Sequence, residues 1–313
     1  MKTALFSHPK FRLHDNGAQH PERLMRLKAL EEKLKVDGLW EKLQHPEFQS
    51  ATEAQLEYCH SPELIAQIKT LAQNGGGQID GDTRVTPFSF DVAKLAVGAA
   101  IGAVDGVLAG DFNNAFVASR PPGHHAESAR AMGFCLFNSI AVAARHAQNQ
   151  HGIERVSIVD FDVHHGNGTQ QIFYEDSSVF FASVHQSPLF PGTGRSWEKG
   201  SGAGEGATLN FPLEAGHGDA EYSQVWEEVG KAVRQFAPEL ILVSTGFDAH
   251  KRDPLGGMKL SAQGFAAMMR STLDWADELC DGRVVCVLEG GYDLQGLSDS
   301  TAAVIEVLLG ENH

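Results

Sequence analysis

The sequence predicts an α/β protein built on a mostly parallel β-sheet, and two observations carry that prediction. Five short runs are near-continuously apolar and rich in β-branched residues, the pattern of a strand buried on both faces. Segments of helical period lie around and between them, and strand alternating with helix is the signature of a parallel α/β fold. In chain order, a helix is expected over Glu22–Leu34, opening after Pro21. Strands are expected at Asn114–Ser119, Val156–Phe161 and Val179–His185. A helix over Glu221–Phe236 then leads to a strand at Leu240–Gly246. Ser261 is a natural N-cap for a helix over Ser261–Cys280, the last strand is Val284–Glu289, and a helix over Leu294–Leu309 stops at Gly310. No low-complexity linker or repeat divides the 313 residues, and splitting them would cut the sheet, so one domain over 1–313 is expected.

Composition narrows the function. Apolar residues make up 42% of the chain and charged residues 21%, values of a folded globular protein. Asp and Glu total 40 against 25 Lys and Arg, a net charge of −15, which argues against a surface that wraps nucleic acid or a basic membrane anchor. The longest apolar stretch, Leu95–Val104, is ten residues, short of the about 20 a spanning helix needs. The opening MKTALFSHPK has too short an apolar run for a signal peptide. Cys59, Cys135, Cys280 and Cys286 form no C-x-x-C pair and read as thiols of a reducing compartment, so a cytoplasmic location is expected.

In parallel α/β folds the ligand site lies beyond the carboxyl ends of the strands. The reactive groups of this chain cluster there. Asp160, Asp162 and His164 follow one strand at i, i+2 and i+4, so an extended backbone points all three to one side. Asp248 ends another strand. Two carboxylates and an imidazole suit a divalent transition metal and leave a position for water, whose pKa such an ion lowers toward ~7. The adjacent His124 and His125 follow Pro-Pro-Gly and titrate in the range needed for proton transfer. Tyr292 follows two glycines and offers a phenol to a developing oxyanion. Each has a bland alternative: a helix cap for the aspartates, a hydrogen-bonded structural pair for the histidines, core packing for the tyrosine.

At this point the motifs RPPGHH, DFDVHHGNGTQ, LFPGTG, STGFDAH and EGGY, in this order, closely resemble the zinc-dependent histone deacetylase superfamily. The likeness is to its class II-like branch of bacterial histone deacetylase-like amidohydrolases, related to acetylpolyamine amidohydrolases. It implies the arginase/deacetylase fold: a single mostly parallel sheet of about eight strands with helices on both faces. It also implies one Zn2+ and hydrolysis of an N-acetyl amide to acetate and a free amine. By the same resemblance Asp162, His164 and Asp248 are the zinc ligands, and His125 is the principal general base and acid. His124 is its charge-stabilising partner, Asp160 orients His124, Asn167 orients His125, and Tyr292 is the transition-state tyrosine. Phe134 and Phe190 would sandwich an acyl-lysine stem in a channel that also includes Gly133, Gly291 and Leu255. Asp160, Asp162, His164, Ser183 and Val184 match a monovalent-cation site, so K+ is a secondary expectation.

Two other readings are weighed. A ureohydrolase of the arginase type would need carboxylates for a second manganese, and the stretch Asp162-Val-His164-His165-Gly166 and the pair Asp248-Ala-His250 do not supply them. A silent acyl-amine binding module would be expected to have lost a ligand or Tyr292. The expected partner is therefore an acetylated amine, with acetyl-lysine peptides and acetylpolyamines both compatible. Leu255 stands near where polyamine-selective relatives place an acidic gatekeeper, which tilts the expectation toward acyl-lysine. His14–Gly17 is expected as a rim loop, and oligomerisation is left open.

Overall fold

The structure, a computed structural model, describes residues 1–311. Its strands are β1 Thr3–Phe6, β2 Gly77–Gln78, β3 Arg84–Val85, β4 Asn114–Val117, β5 Val156–Asp160, β6 Val179–Gln186, β7 Thr208–Leu213, β8 Leu240–Thr245 and β9 Val284–Leu288. Its helices are α1 Met25–Val36, α2 Glu53–Leu56, α3 Pro62–Gln73, α4 Ser89–Ala109, α5 Ser139–His151, α6 Asn167–Phe173, α7 Asp219–Phe236, α8 Ala262–Leu279 and α9 Leu294–Leu308. Seven strands form one sheet in the order β1-β4-β9-β8-β5-β6-β7, with every neighbouring pair parallel. β2 and β3 make a separate antiparallel ribbon. The sheet has seven strands where about eight were expected.

Every residue of β4, β5, β8 and β9 is buried, which is why these strands read as continuous apolar runs. The two edge strands escape that test. β1 is only four residues long. β7 alternates buried and half-buried positions and carries Pro212, which removes a ladder donor. α4 escapes a periodicity test for the opposite reason. It is apolar nearly all round, long enough on length and composition to cross a bilayer, and 72% of that apolar window is buried inside the protein. It is a core helix, packed on α5 and α3, whereas α1, α9, α8 and α7 pack on one another in series.

α1 begins at Met25, three residues after the expected start. Glu22 is drawn instead into a buried ion cluster, paired with Arg120 and, at 3.3 Å, with Arg26. The expected rim loop at residues 14–17 is likewise anchored inside. His14 and Asn16 are buried; His14 Nδ1 lies 2.7 Å from Ser89 Oγ, and Asn16 Nδ2 donates to Glu22. The cause is the fully buried Glu22 carboxylate, which needs donors on all sides. Two guanidinium groups and His14 offset the desolvation that would raise it, and its carboxyl falls to about 2.

Several buried histidines outside the strand-end cluster are held neutral. His60 shows why: Nδ1 donates to the Glu127 carbonyl at 3.0 Å, while Nε2 accepts the Asn138 N–H at 2.8 Å. A second proton would have to displace a donor already in place. Burial lowers His60, His14 and His185 each to about 4, and at His185 it does so against the raising effect of the hydrogen bond to the Gly194 carbonyl. Because the folded pKa lies below the unfolded value of 6.5, their stability contribution is complete above 6.5 and is lost as pH falls toward 4. The melting temperature should therefore fall by several degrees between about pH 7 and about pH 5. A flat profile in thermal unfolding over that interval would show that these rings are not buried neutral.

Candidate active site

The carboxyl ends of β4, β5, β8 and β9 converge on one point, and each delivers a motif. β5 ends at Asp160, after which the chain turns through Asp162 and His164 before α6. β8 pairs with β5 and is followed by Asp248. Asp162, His164 and Asp248 offer ligand atoms that all lie within 4.8 Å of one another, and all three residues are buried. His164 Nδ1 stands 3.1 Å from Asp162 Oδ1 and 3.0 Å from Asp248 Oδ2. The remaining oxygens are fixed by backbone donors, Gly290 N–H on Asp162 Oδ2 and Val163 N–H on Asp248 Oδ1, each at 2.8 Å.

The electrostatics are those of a cation site. Burial, and then the neighbouring Asp162 carboxylate, push Asp248 up to about 7. Against the lowering effect of burial, hydrogen bonds with Asp162 and Asp248 lift the His164 imidazole to about 10. The cluster thus has a strong demand for positive charge. The backbone also leaves room only for the carboxylates. A Cβ at Gly290 would stand 2.1 Å from Asp248 Oδ2, and one at Gly246 would collide with Asp162. Two carboxylates and an imidazole, buried and held from behind, fit a divalent ion with an open coordination position.

His124 and His125 follow β4, with ring centroids 4.0 Å apart, and have opposite environments. His124 Nδ1 faces Asp160 Oδ2 at 2.9 Å and its Nε2 lies 3.8 Å from Asp162. Burial opposes its charge, but Asp162, Asp160 and Glu289 outweigh that and raise it to about 10. His125 is lowered well below 6.5 by burial and then by the His124 and His164 imidazoles. Its Nδ1 lies 2.8 Å from Asn167 Oδ1. The Asn167 amide is oriented by donation from Nδ2 to Glu127 Oε1 at 2.9 Å, so Oδ1 accepts and His125 carries its proton on Nδ1. The Nε2 lone pair of His125 is left free, the state a general base requires.

Tyr292 follows β9 and is buried, with its hydroxyl held far above its ordinary pKa by burial and by Asp248, so it stays a donor. Its position depends on residues that no local pattern singles out. Asp253 Oδ2 accepts the Tyr292 N–H at 2.6 Å, and Asp253 Oδ1 accepts the Leu255 N–H at 3.0 Å. Arg26 donates to the Gly291 carbonyl at 2.6 Å and to the Glu289 carbonyl at 2.5 Å, and lies 5.0 Å from the Tyr292 ring centroid. Glu289 Oε2 accepts the N–H groups of Gly123 at 2.6 Å and His124 at 3.1 Å, tying the histidine loop to the tyrosine loop.

A cavity of about 260 Å3 leads to this cluster, lined by Asp82, His125, Gly133, Phe134, His164, Leu189, Phe190, Leu255 and Tyr292. The Phe134 ring is 5.8 Å from Tyr292 and the Phe190 ring 5.1 Å from His125, both edge-on. Gly133 must stay a glycine: its φ is +58°, and a Cβ would stand 2.6 Å from the His125 ring. Gly291 lies behind the cavity rather than on its wall, at φ +114°, where it turns the chain so that Tyr292 enters. Asp82, from the β2–β3 ribbon, and Leu189 were not anticipated. Asp82 had no signal, because it comes from a two-residue ribbon far along the chain from the motifs. Ser183 and Val184 are buried on β6, where Ser183 pairs in register with Asp160.

The comparisons agree with this geometry. Residues 20–308 match the histone deacetylase domain. A probable deacetylase of Archaeoglobus fulgidus is 42% identical over 301 residues, 95% of this chain and 83% of that protein. The histone deacetylase-like amidohydrolase of Pseudomonas aeruginosa is 42% identical over 295 residues, 94% of this chain and 77% of that protein. Among solved structures, the crystal structure of the HDA15 HD domain superposes with a TM-score of 0.95 at 38% identity, covering 99% of this chain and 90% of the other. With a buried acid–histidine cluster at the strand ends and a family match over nearly its whole length, the chain belongs to the histone deacetylase family and is a hydrolase acting on amides.

Proposed function

We propose that this protein is a zinc-dependent deacetylase of acyl-lysine-type side chains. The observation that carries the reading is the aromatic-walled cavity of about 260 Å3 that ends on His125, His164 and Tyr292. A four-carbon stem between Phe134 and Phe190 buries its methylenes while its amide head reaches the acid–histidine cluster. Asp162, His164 and Asp248 would hold the zinc, which supplies Lewis-acid polarisation of the amide and a water of lowered pKa. His125 Nε2 accepts the proton of the attacking water, with Asn167 fixing its tautomer. The His124 imidazolium, neutralised by Asp160, stabilises negative charge developing beside it. Tyr292 donates its hydroxyl hydrogen to the oxyanion as the carbonyl becomes tetrahedral. His125 then returns its proton to the leaving nitrogen, and acetate and a free amine depart. Tyr292→Phe should lower kcat by about 10²–10³, the usual loss for one oxyanion donor, with KM little changed; an unaltered kcat would remove Tyr292 from the chemistry.

The reading extends to a structural K+ near the end of β5, with Asp160, Asp162, His164, Ser183 and Val184 as the residues around it. It also places the protein in the cytoplasm, on the strength of four buried, unpaired cysteines.

A second substrate reading rests on Asp82. Its carboxylate lines the same cavity as Leu255, and an acetylpolyamine would carry a second cation to such a group. The deciding experiment is acetate release by zinc-loaded protein from acetyl-lysine peptides, acetylputrescine and acetylspermidine. The acyl-lysine reading expects the peptides to have the higher kcat/KM. A tenfold or greater preference for the polyamines, abolished by Asp82→Asn, would replace it.

A further inference from the structure

A second group of metal-ligating side chains stands apart from the active site. Asp105 projects from α4, and His146 and His151 project from α5. Asp105 Oδ1 lies 2.7 Å from His146 Nε2 and 2.7 Å from His151 Nε2, and the three ligand atoms all fall within 4.8 Å of one another. Among the described residues this and the Asp162–His164–Asp248 cluster are the two groups with such geometry. The two are remote. α5 starts at Ser139, capped by Asn138 beside the active-site loops, and its rise of about 1.5 Å per residue carries His151 roughly 20 Å away, toward the amino ends of the strands.

We propose that Asp105, His146 and His151 form a second Zn2+ site that ties α4 to α5. Two imidazole nitrogens and one carboxylate oxygen are good zinc ligands, and ligand atoms at about 2.0–2.2 Å from a tetrahedral ion lie roughly 3.4 Å apart, so the 2.7 Å hydrogen-bonded pairs need open by less than about 1 Å to admit it. The site combines rigidity with access. His146 is 6% exposed and fixed in the helix interface, whereas the Asp105 side chain is 48% and the His151 side chain 29% exposed. Asp105 and His151 line a surface cleft of about 570 Å3, through which an ion and its remaining waters can enter. Burial would raise the Asp105 carboxyl, but hydrogen bonds with the two imidazoles outweigh it and keep it below its ordinary value, so the oxygen ligand is ionised at neutral pH. Hydrogen bonding alone gives His146 a poorer arrangement, because its Nδ1 is buried with no partner whichever nitrogen carries the proton. An ion on Nε2 leaves that Nδ1–H unpartnered but replaces a hydrogen bond to Asp105 by a stronger coordinate bond on the other side of the ring.

The test is a metal count on the intact, zinc-loaded protein after equilibration with micromolar free zinc and gel filtration. Two ions per chain are expected for the wild type, and one each for His151→Ala and Asp105→Asn, both of which should release acetate at the wild-type rate. Asp248→Asn should also retain one ion, and Asp248→Asn combined with His151→Ala none. Added zinc should raise the melting temperature of Asp248→Asn but not of the double variant. A wild-type ion count that His151→Ala leaves unchanged overturns the proposal, whatever Asp248→Asn does to that count. Because the two sites are removed by different substitutions, failure at α4–α5 is distinguishable from failure of the catalytic-zinc reading.

Discussion

Asp248→Asn is expected to abolish zinc retention at the active site and to lower deacetylase activity by more than about 10³, since Lewis-acid stabilisation of the transition state amounts to several kcal/mol. The substitution keeps shape and burial but removes the anionic charge that His164 faces at 3.0 Å. It also leaves the Val163 N–H its acceptor, so the loop should stay folded. Asn in a buried site offers a far weaker ligand than a carboxylate and no longer balances a dication. The measurement is zinc content together with acetate release, with unfolding followed in parallel. A folded variant that keeps its active-site zinc and its rate would mean that Asp248 is not a ligand.

His125→Ala should lower kcat by about 10²–10⁴, the range for loss of a positioned general base, while zinc content stays at the wild-type level. The separation of these readouts matters, because His125 is not among the three clustered residues that could hold the ion. The wild-type pH profile should carry the same signature. His125 acts as a base only when neutral, and burial, His124 and His164 lower its pKa well below 6.5. Activity governed by this ring is therefore fully present at neutral pH and is lost only as pH falls through that depressed value. An acid limb of kcat/KM at or above the ordinary histidine pKa would contradict the assignment of His125 as base. Asn167 contributes by holding the tautomer, so its replacement by Ala should weaken the base without moving the metal.

Much of the site was legible because its residues sit in local motifs. Asp160, Asp162 and His164 share one stretch of chain, and a strand's alternation with the turn after it brings them to one side. His124 and His125 are neighbours, and Tyr292 directly follows its two glycines. The buried strands were legible for the same reason, since burial on both faces writes itself into a short apolar run. β1, β7 and α4 were not. β1 is buried throughout but is a run of only four residues, β7 is only partly buried and so is not continuously apolar, and a helix buried nearly all round has no polar face to mark its period.

The supporting residues were hidden for a different reason. Glu22, Arg26, Glu127 and Asp253 are ordinary surface-type residues in the sequence, and each becomes special through a partner far along the chain. Arg26 reaches the Gly291 carbonyl across 265 positions, and Asn167 meets Glu127 across 40. A buried charge is stable only where several distant donors and acceptors close around it, and no local period records that closure.

By itself, the sequence determined the strand-and-helix alternation, the strand ends that carry reactive groups, and the family those motifs resemble. Those features depend on backbone periodicity over a few residues. The tertiary structure alone decided that β8 lies beside β5, so that Asp248 meets His164. It alone turned the Asn167 amide toward His125, set Arg26 behind Tyr292, and brought Asp105 from α4 onto the two histidines of α5. Strand order, amide orientation and helix packing follow from how the whole chain buries its apolar surface and satisfies its buried polar groups, and that balance is struck across the fold rather than within any one segment.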